Sequence, residues 1–116
     1  IFGEDARRTI DWDNKPHWDH TFYASVRHLV RARRKHDAFA NGGLRWVAVE
    51  ENYLAFLRES KKESILFFIS RDAVKAKIDL APLGMTIKEN LAGESARGSR
   101  ISIKSKSATY GMWVVE

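Results

Sequence analysis

The spacing of apolar residues along this 116-residue chain changes once, from helical to strand-like, and does not change back. Phe22, Val26, Leu29 and Val30 recur three and four residues apart, which gathers them on one stripe of a helix, while Arg27, Arg31 and Arg34 fall on another. Asp19 stands at the N-cap position, with Trp18 and Tyr23 at the two positions of a hydrophobic staple. This predicts a helix over about residues 19–37 that fades near His36 to Phe39. Asn41-Gly42-Gly43 then offers residues able to take positive φ and close it. The eighteen residues before the helix hold Gly3, Pro16 and many polar groups without any period, and are expected to form a loop.

From Leu44 onward the period is two. Leu44 to Glu50 and Tyr53 to Glu59 are the first two strand-like runs, and Ser60-Lys61-Lys62-Glu63 is the polar hairpin connection to a third. Ile65-Leu66-Phe67-Phe68-Ile69 is apolar at every position, so it is expected to be a central strand covered on both sides. Val74, Ala76, Ile78 and Leu80 alternate with Lys75, Lys77 and Asp79, the pattern of a strand with one wet face. After the break at Pro82 and Gly84 come a weaker strand over Met85 to Leu91, a polar loop around Gly93 and Gly98, and strands over Arg100 to Lys104 and Thr109 to Val115. The fold expected is mainly β: an antiparallel β-sandwich of Greek-key type preceded by one amphipathic helix and an N-terminal loop.

Apolar residues make up 44% of the chain, enough for one modest domain and an appendage. No apolar run approaches the ~20 residues of a membrane span, so no membrane partner is expected. With no cysteine, disulfides, thiolate metal sites and cysteine nucleophiles are excluded together, which is compatible with a cytoplasmic location. The formal charge of +5 is concentrated on the helix, where Arg27, Arg31, Arg33, Arg34 and Lys35 face the single acid Asp19. Such a cluster can meet nucleic-acid phosphates. No nucleic-acid motif accompanies it, and a solvated basic face meeting the negative end of the helix dipole accounts for it, so no nucleic-acid partner is expected.

Retaining glycoside hydrolysis needs two carboxyl groups ~5 Å apart, one of them held protonated. Glu4 with Asp5, or Asp11 with Asp13, are neighbours on a polar loop with no evident apolar pocket, so neither pair is taken as catalytic. His17, His20, His28 and His36 lack a spacing that places three metal ligands together, and neither a serine-nucleophile signature nor a phosphate-cradling glycine loop occurs. No metal or cofactor is called for. Trp46, Tyr53, Tyr110 and Trp113 lie on strands, where they either pack in a core or stack on sugar rings, and core packing is preferred.

The order of these segments resembles the C-terminal end of the α-amylase superfamily, glycoside hydrolase family 13, in an α-glucosidase-like branch. Arg7-Arg8-Thr9-Ile10-Asp11-Trp12 is similar to the family's Arg-Arg-Pro-Met-x-Trp loop, and the stretch from Leu29 to Phe39 is similar to the end of its last barrel helix. Tyr53-Leu54-Ala55-Phe56-Leu57-Arg58 and Asn90-Leu91-Ala92-Gly93-Glu94 look like a strand and a late turn of its C-terminal sandwich. Thr9, Asp11, Asp37 and Ser70 depart from the residues usual at those positions.

The resemblance implies that residues 1–42 close a catalytic barrel and residues 43–116 form the sandwich that follows it. The Asp, Glu and Asp of the family's acid machinery belong to earlier barrel strands, and no segment here matches them. The chain, which begins at Ile1 and reads as a fragment, is therefore expected to be inactive alone, with a stabilising role in a parent enzyme acting on α-glucosidic bonds in oligosaccharides. Its implied partners are the parent's barrel and, through the parent, the oligosaccharide. In such a parent the polar loop lies at the rim of the active site, where Asp5 and Arg7, with Glu4 in reserve, bracket sugar hydroxyls or form a salt bridge that orders the loop. The helix stripe is expected to find cover against the sandwich or against another copy, any dimer being an artefact of truncation. A stand-alone carbohydrate-binding or basic nucleic-acid-binding module is the alternative reading.

Overall fold

The computed structural model describes residues 9–116, which fall into two compact units dividing between Val30 and Arg31. In the first unit the loop is tied by its tryptophans. Trp18 Nε1 donates to the Asp11 carbonyl at 2.8 Å, and the Trp12 and Trp18 rings meet edge to face with centroids 5.6 Å apart. A single 3-10 turn, Lys15–His17, leads into helix α1, His20–Lys35. Asp19 caps that helix as expected: its Oδ1 accepts from the Phe22 amide at 2.8 Å, satisfying one of the donors that a helix start leaves free. Along the stripe of α1, Phe22 is 67% exposed, Val26 and Val30 are also exposed, and Leu29 is half-buried.

In the second unit α1 does not fade gradually. His36 is extended, with φ −108° and ψ 118°, and a separate five-residue helix α2, Asp37–Asn41, follows it. Gly42 is also extended, with φ −77°, so the expected closure by positive φ does not occur. The residue has to be small for another reason. A Cβ on Gly42 collides with the Ala38 carbonyl oxygen, where the Gly42 amide closes the helix with a 3.0 Å hydrogen bond.

Seven strands follow: β1 Gly43–Val49, β2 Tyr53–Glu59, β3 Ser64–Ser70, β4 Val74–Asp79, β5 Ile87–Ala92, β6 Arg100–Ser105 and β7 Thr109–Val115. They make two antiparallel sheets, one of five strands in the order β1-β2-β3-β7-β5 and one of β4 with β6. From β3 onward every connection passes to the other sheet, which gives the sandwich. The all-apolar run lies on β3, at the centre of the larger sheet as expected, but it is not covered on both sides along its whole length, since Ile69 is 52% exposed.

Registers set which residues meet. Ala55 pairs with Phe68, Leu57 with Leu66 and Leu66 with Trp113, so one face of the large sheet presents these side chains to Val74, Ala76, Ile78, Ile101 and Ile103 of the small one. All are buried, and each large aliphatic side chain so removed from water contributes roughly 1.5–3 kcal/mol. Trp113 fills the centre, and its Nε1 donates to the Glu94 carbonyl at 2.9 Å, which satisfies the one polar atom the indole carries in. The small sheet shows the alternation read for β4: Val74, Ala76 and Ile78 are buried, while Lys75, Lys77 and Asp79 are exposed.

Candidate functional site

Glu4, Asp5 and Arg7, the loop residues proposed from sequence, lie outside the described residues. The described part of that loop encloses an open hollow of about 570 Å³ lined by Ile10, Asp11, Trp12, Asn14, His17, Trp18, Asp19 and Tyr23. Its walls are two tryptophans and a tyrosine with acidic and amide groups between them, a lining that suits stacking on a sugar ring and hydrogen bonding to its hydroxyls.

The second constellation lies where α2 meets the turn between β2 and β3. The Glu63 carboxylate accepts from the His36 ring at 2.9 Å and from the Ala38 amide at 3.1 Å, so one side chain both caps α2 and pairs with the nearly buried His36. Burial raises the Glu63 pKa, but the hydrogen bonds from His36 and Ala38 outweigh it and hold the carboxyl below its ordinary range. Asp37 is held low as well, first by the Asn41 side chain and then by Ser60. Both shifts run opposite to what a proton-donating glycosidase acid needs. The far end of α2 is held by Arg58, whose guanidinium donates to the carbonyls of Phe39 at 3.2 Å and Gly42 at 2.9 Å. Its Nε is buried without an acceptor.

The strand aromatics divide. Trp113 is fully buried and Tyr53 lies against Phe68 with ring centroids 5.3 Å apart, so both serve the core as expected. Trp46 and Tyr110 do not: they stand on the outer face of the large sheet, 55% and 40% exposed. Period-two spacing places them on a face but does not say whether that face is covered. Among the described residues no group of three or more His, Asp or Glu side chains is placed to hold a metal ion, and no helix is long and apolar enough to cross a membrane.

The fold of this chain matches part of larger proteins of known structure, in keeping with the resemblance read from the sequence. The trehalulose synthase of Pseudomonas mesoacidophila MX-45 matches with a TM-score of 0.66 at 23% identity, over 81% of this chain and 18% of that one. The isomaltulose synthase of Klebsiella sp. LX3 matches with a TM-score of 0.63 at 15% identity, over 77% of this chain and 16% of that one. In sequence, a cyclomaltodextrinase from a Bacillus species is 29% identical over 69 residues, which span 58% of this chain and 12% of the relative. This chain thus corresponds to less than a fifth of each of these proteins. No protein-family model matches it.

Proposed function

We propose that this chain is the closing part of an enzyme acting on α-glucosidic bonds, with residues 1–42 ending its catalytic barrel and residues 43–116 forming a sandwich that stabilises the barrel without taking part in the chemistry. The observation that carries this is the match of four fifths of the chain to a small portion of the trehalulose synthase, and this chain's own order of helix then sandwich follows the sequence motifs. Within the described residues, the carboxyls with displaced pKa values, Asp37 and Glu63, are held ionised and engaged in capping and pairing, which suits a structural role. Glu4, Asp5 and Arg7 are the candidates for hydrogen bonds to sugar hydroxyls at the rim of the parent's site, and Trp12 and Trp18, a few residues further along the sequence, line the hollow.

The test is a comparison of two proteins on p-nitrophenyl α-glucoside and on maltooligosaccharides: the chain itself and the longer product of its gene. Hydrolysis or glucosyl transfer by the longer product and none by the chain alone is the expected pattern. Turnover by the chain alone would refute the proposal.

A further inference from the structure

The small sheet matches its charges at one end and sets like charges together at the other. On its outer face the register makes three cross-strand pairs, Asp79 with Arg100, Lys77 with Ser102 and Lys75 with Lys104. The first is an opposite-charge pair, with Arg100 Nε 3.9 Å from the Asp79 carboxylate. The last places two lysines directly opposite each other, where Cβ atoms stand about 5 Å apart and like charges destabilise a sheet. Lys106, just past the end of β6, adds a third ammonium group. Lys75, Lys77, Lys104 and Lys106 are all exposed, and among the described residues none of them makes an ion pair. Two acids stand near. The Asp72 carboxylate accepts from the Ala73 amide at 2.7 Å, and Glu94 shares a neighbouring hollow with Lys104 without pairing with it.

Lys75, Lys104 and Lys106, together with Ser105, line an open hollow of about 540 Å³ that Ala73 and Val74 complete. Proteins break such local rules chiefly at functional sites, where a ligand supplies what the fold lacks. An anion in this hollow relieves the repulsion, since each ammonium group then has a charged acceptor. The residue type narrows the anion. The planar fork of arginine selects carboxylates, whereas lysine is a point charge with three rotatable donors and suits a tetrahedral phosphate with several terminal oxygens. The bases of a nucleic acid have nothing to stack on here, because β4 and β6 carry no aromatic residue.

We infer that the hollow between Lys75, Lys104 and Lys106 binds a terminal phosphate group, either on a small sugar phosphate or as the free ion. The assignment goes beyond the proposed function and does not rest on it.

The chain is titrated calorimetrically with inorganic phosphate, and separately with glucose 6-phosphate, at constant ionic strength set with chloride. Saturable binding is expected, weakened at least about tenfold in Lys106→Gln by the loss of one charge-assisted hydrogen bond. Lys104→Glu gives the sharper readout. It turns the repulsive pair into an attractive one, so the urea midpoint is expected to rise by roughly 0.2–1 M while phosphate affinity falls at least roughly a hundredfold. Lys61→Glu, the same charge change in the exposed turn between β2 and β3, is the reference and is expected to leave affinity within about twofold. Tighter binding of glucose 6-phosphate than of phosphate identifies a sugar phosphate as the ligand, and equal binding identifies the phosphate group alone; both uphold the site. Absence of saturable binding to either compound overturns it, as does an equal loss of affinity in Lys61→Glu and Lys104→Glu. A midpoint that does not rise in Lys104→Glu shows the lysine pair to be unstrained and also overturns it. A single-stranded oligonucleotide without a terminal phosphate that binds more tightly than phosphate, and is lost in Lys104→Glu, identifies a nucleic acid as the ligand and overturns the assignment.

Discussion

Glu63 is the side chain whose loss should most clearly expose how this structure is held. Two groups depend on its carboxylate, the Ala38 amide at the start of α2 and the ring N–H of His36. Removing a side-chain cap costs about 1 kcal/mol, and leaving a buried donor such as His36 without an acceptor costs about 1–3 kcal/mol. His36 is 7% exposed and Glu63 19%, so solvent can relieve only part of that cost. Glu63→Ala is therefore expected to destabilise by about 2–4 kcal/mol, and Glu63→Gln, which keeps one acceptor oxygen, by about 1 kcal/mol. In urea melts followed by tryptophan fluorescence, a slope of about 2 kcal/mol per molar turns the first figure into a midpoint drop of roughly 1–2 M.

The pH dependence has a definite sign. The folded pKa of Glu63 is lowered, so its stabilisation is present above the ordinary carboxylate range and is lost as pH falls through the depressed folded value. Wild type should lose stability below about pH 4 more steeply than Glu63→Gln. A Glu63→Ala variant within 0.5 kcal/mol of wild type, on the scale expected of an ordinary surface change, would refute this account of the junction.

Three further substitutions test the packing. Gly111→Ala puts a methyl group into the Trp113 ring, 2.7 Å from its Cζ2, and is expected to cost about 1–3 kcal/mol or more, read as a lowered thermal midpoint with a weakened near-ultraviolet signal from the indole. Arg58→Met removes the donors to Phe39 and Gly42 but also the desolvated Nε, so its net cost should lie near 1–2 kcal/mol, with faster amide exchange confined to α2. Asn90→Ala releases the loop that its amide clamps to Ala96 at 3.0 and 2.7 Å, costing about 1 kcal/mol and increasing proteolytic cleavage between Gly93 and Gly98.

Much of this architecture was legible in the residues. The change of period at Gly42-Gly43, the central place of the apolar β3, the alternation of β4 and the Asp19 cap all depend on neighbours in the chain, and the structure has each in place, although Ile69 leaves one side of β3 partly open. What escaped depends on residues far apart. The break at His36 is held by Glu63, 27 positions later, and a local pattern cannot announce such a partner. Gly42 was expected to supply positive φ, whereas its role is to let the chain pass the Ala38 carbonyl. Trp46 and Tyr110 carry the alternation of strand residues, which fixes a side but not whether anything covers it. The loop proposal at Glu4, Asp5 and Arg7 came from the family resemblance rather than from any pattern of spacing.

The measurement closest to the central claim is the sequence of the source gene upstream of the codon for Ile1. An open frame of several hundred codons, with alternating strand and helix patterns and separated Asp, Glu and Asp motifs, is the expected result and makes this chain the closing sandwich of an α-glucosidic enzyme. A start codon immediately upstream would contradict the claim and leave a free-standing module with an open aromatic face.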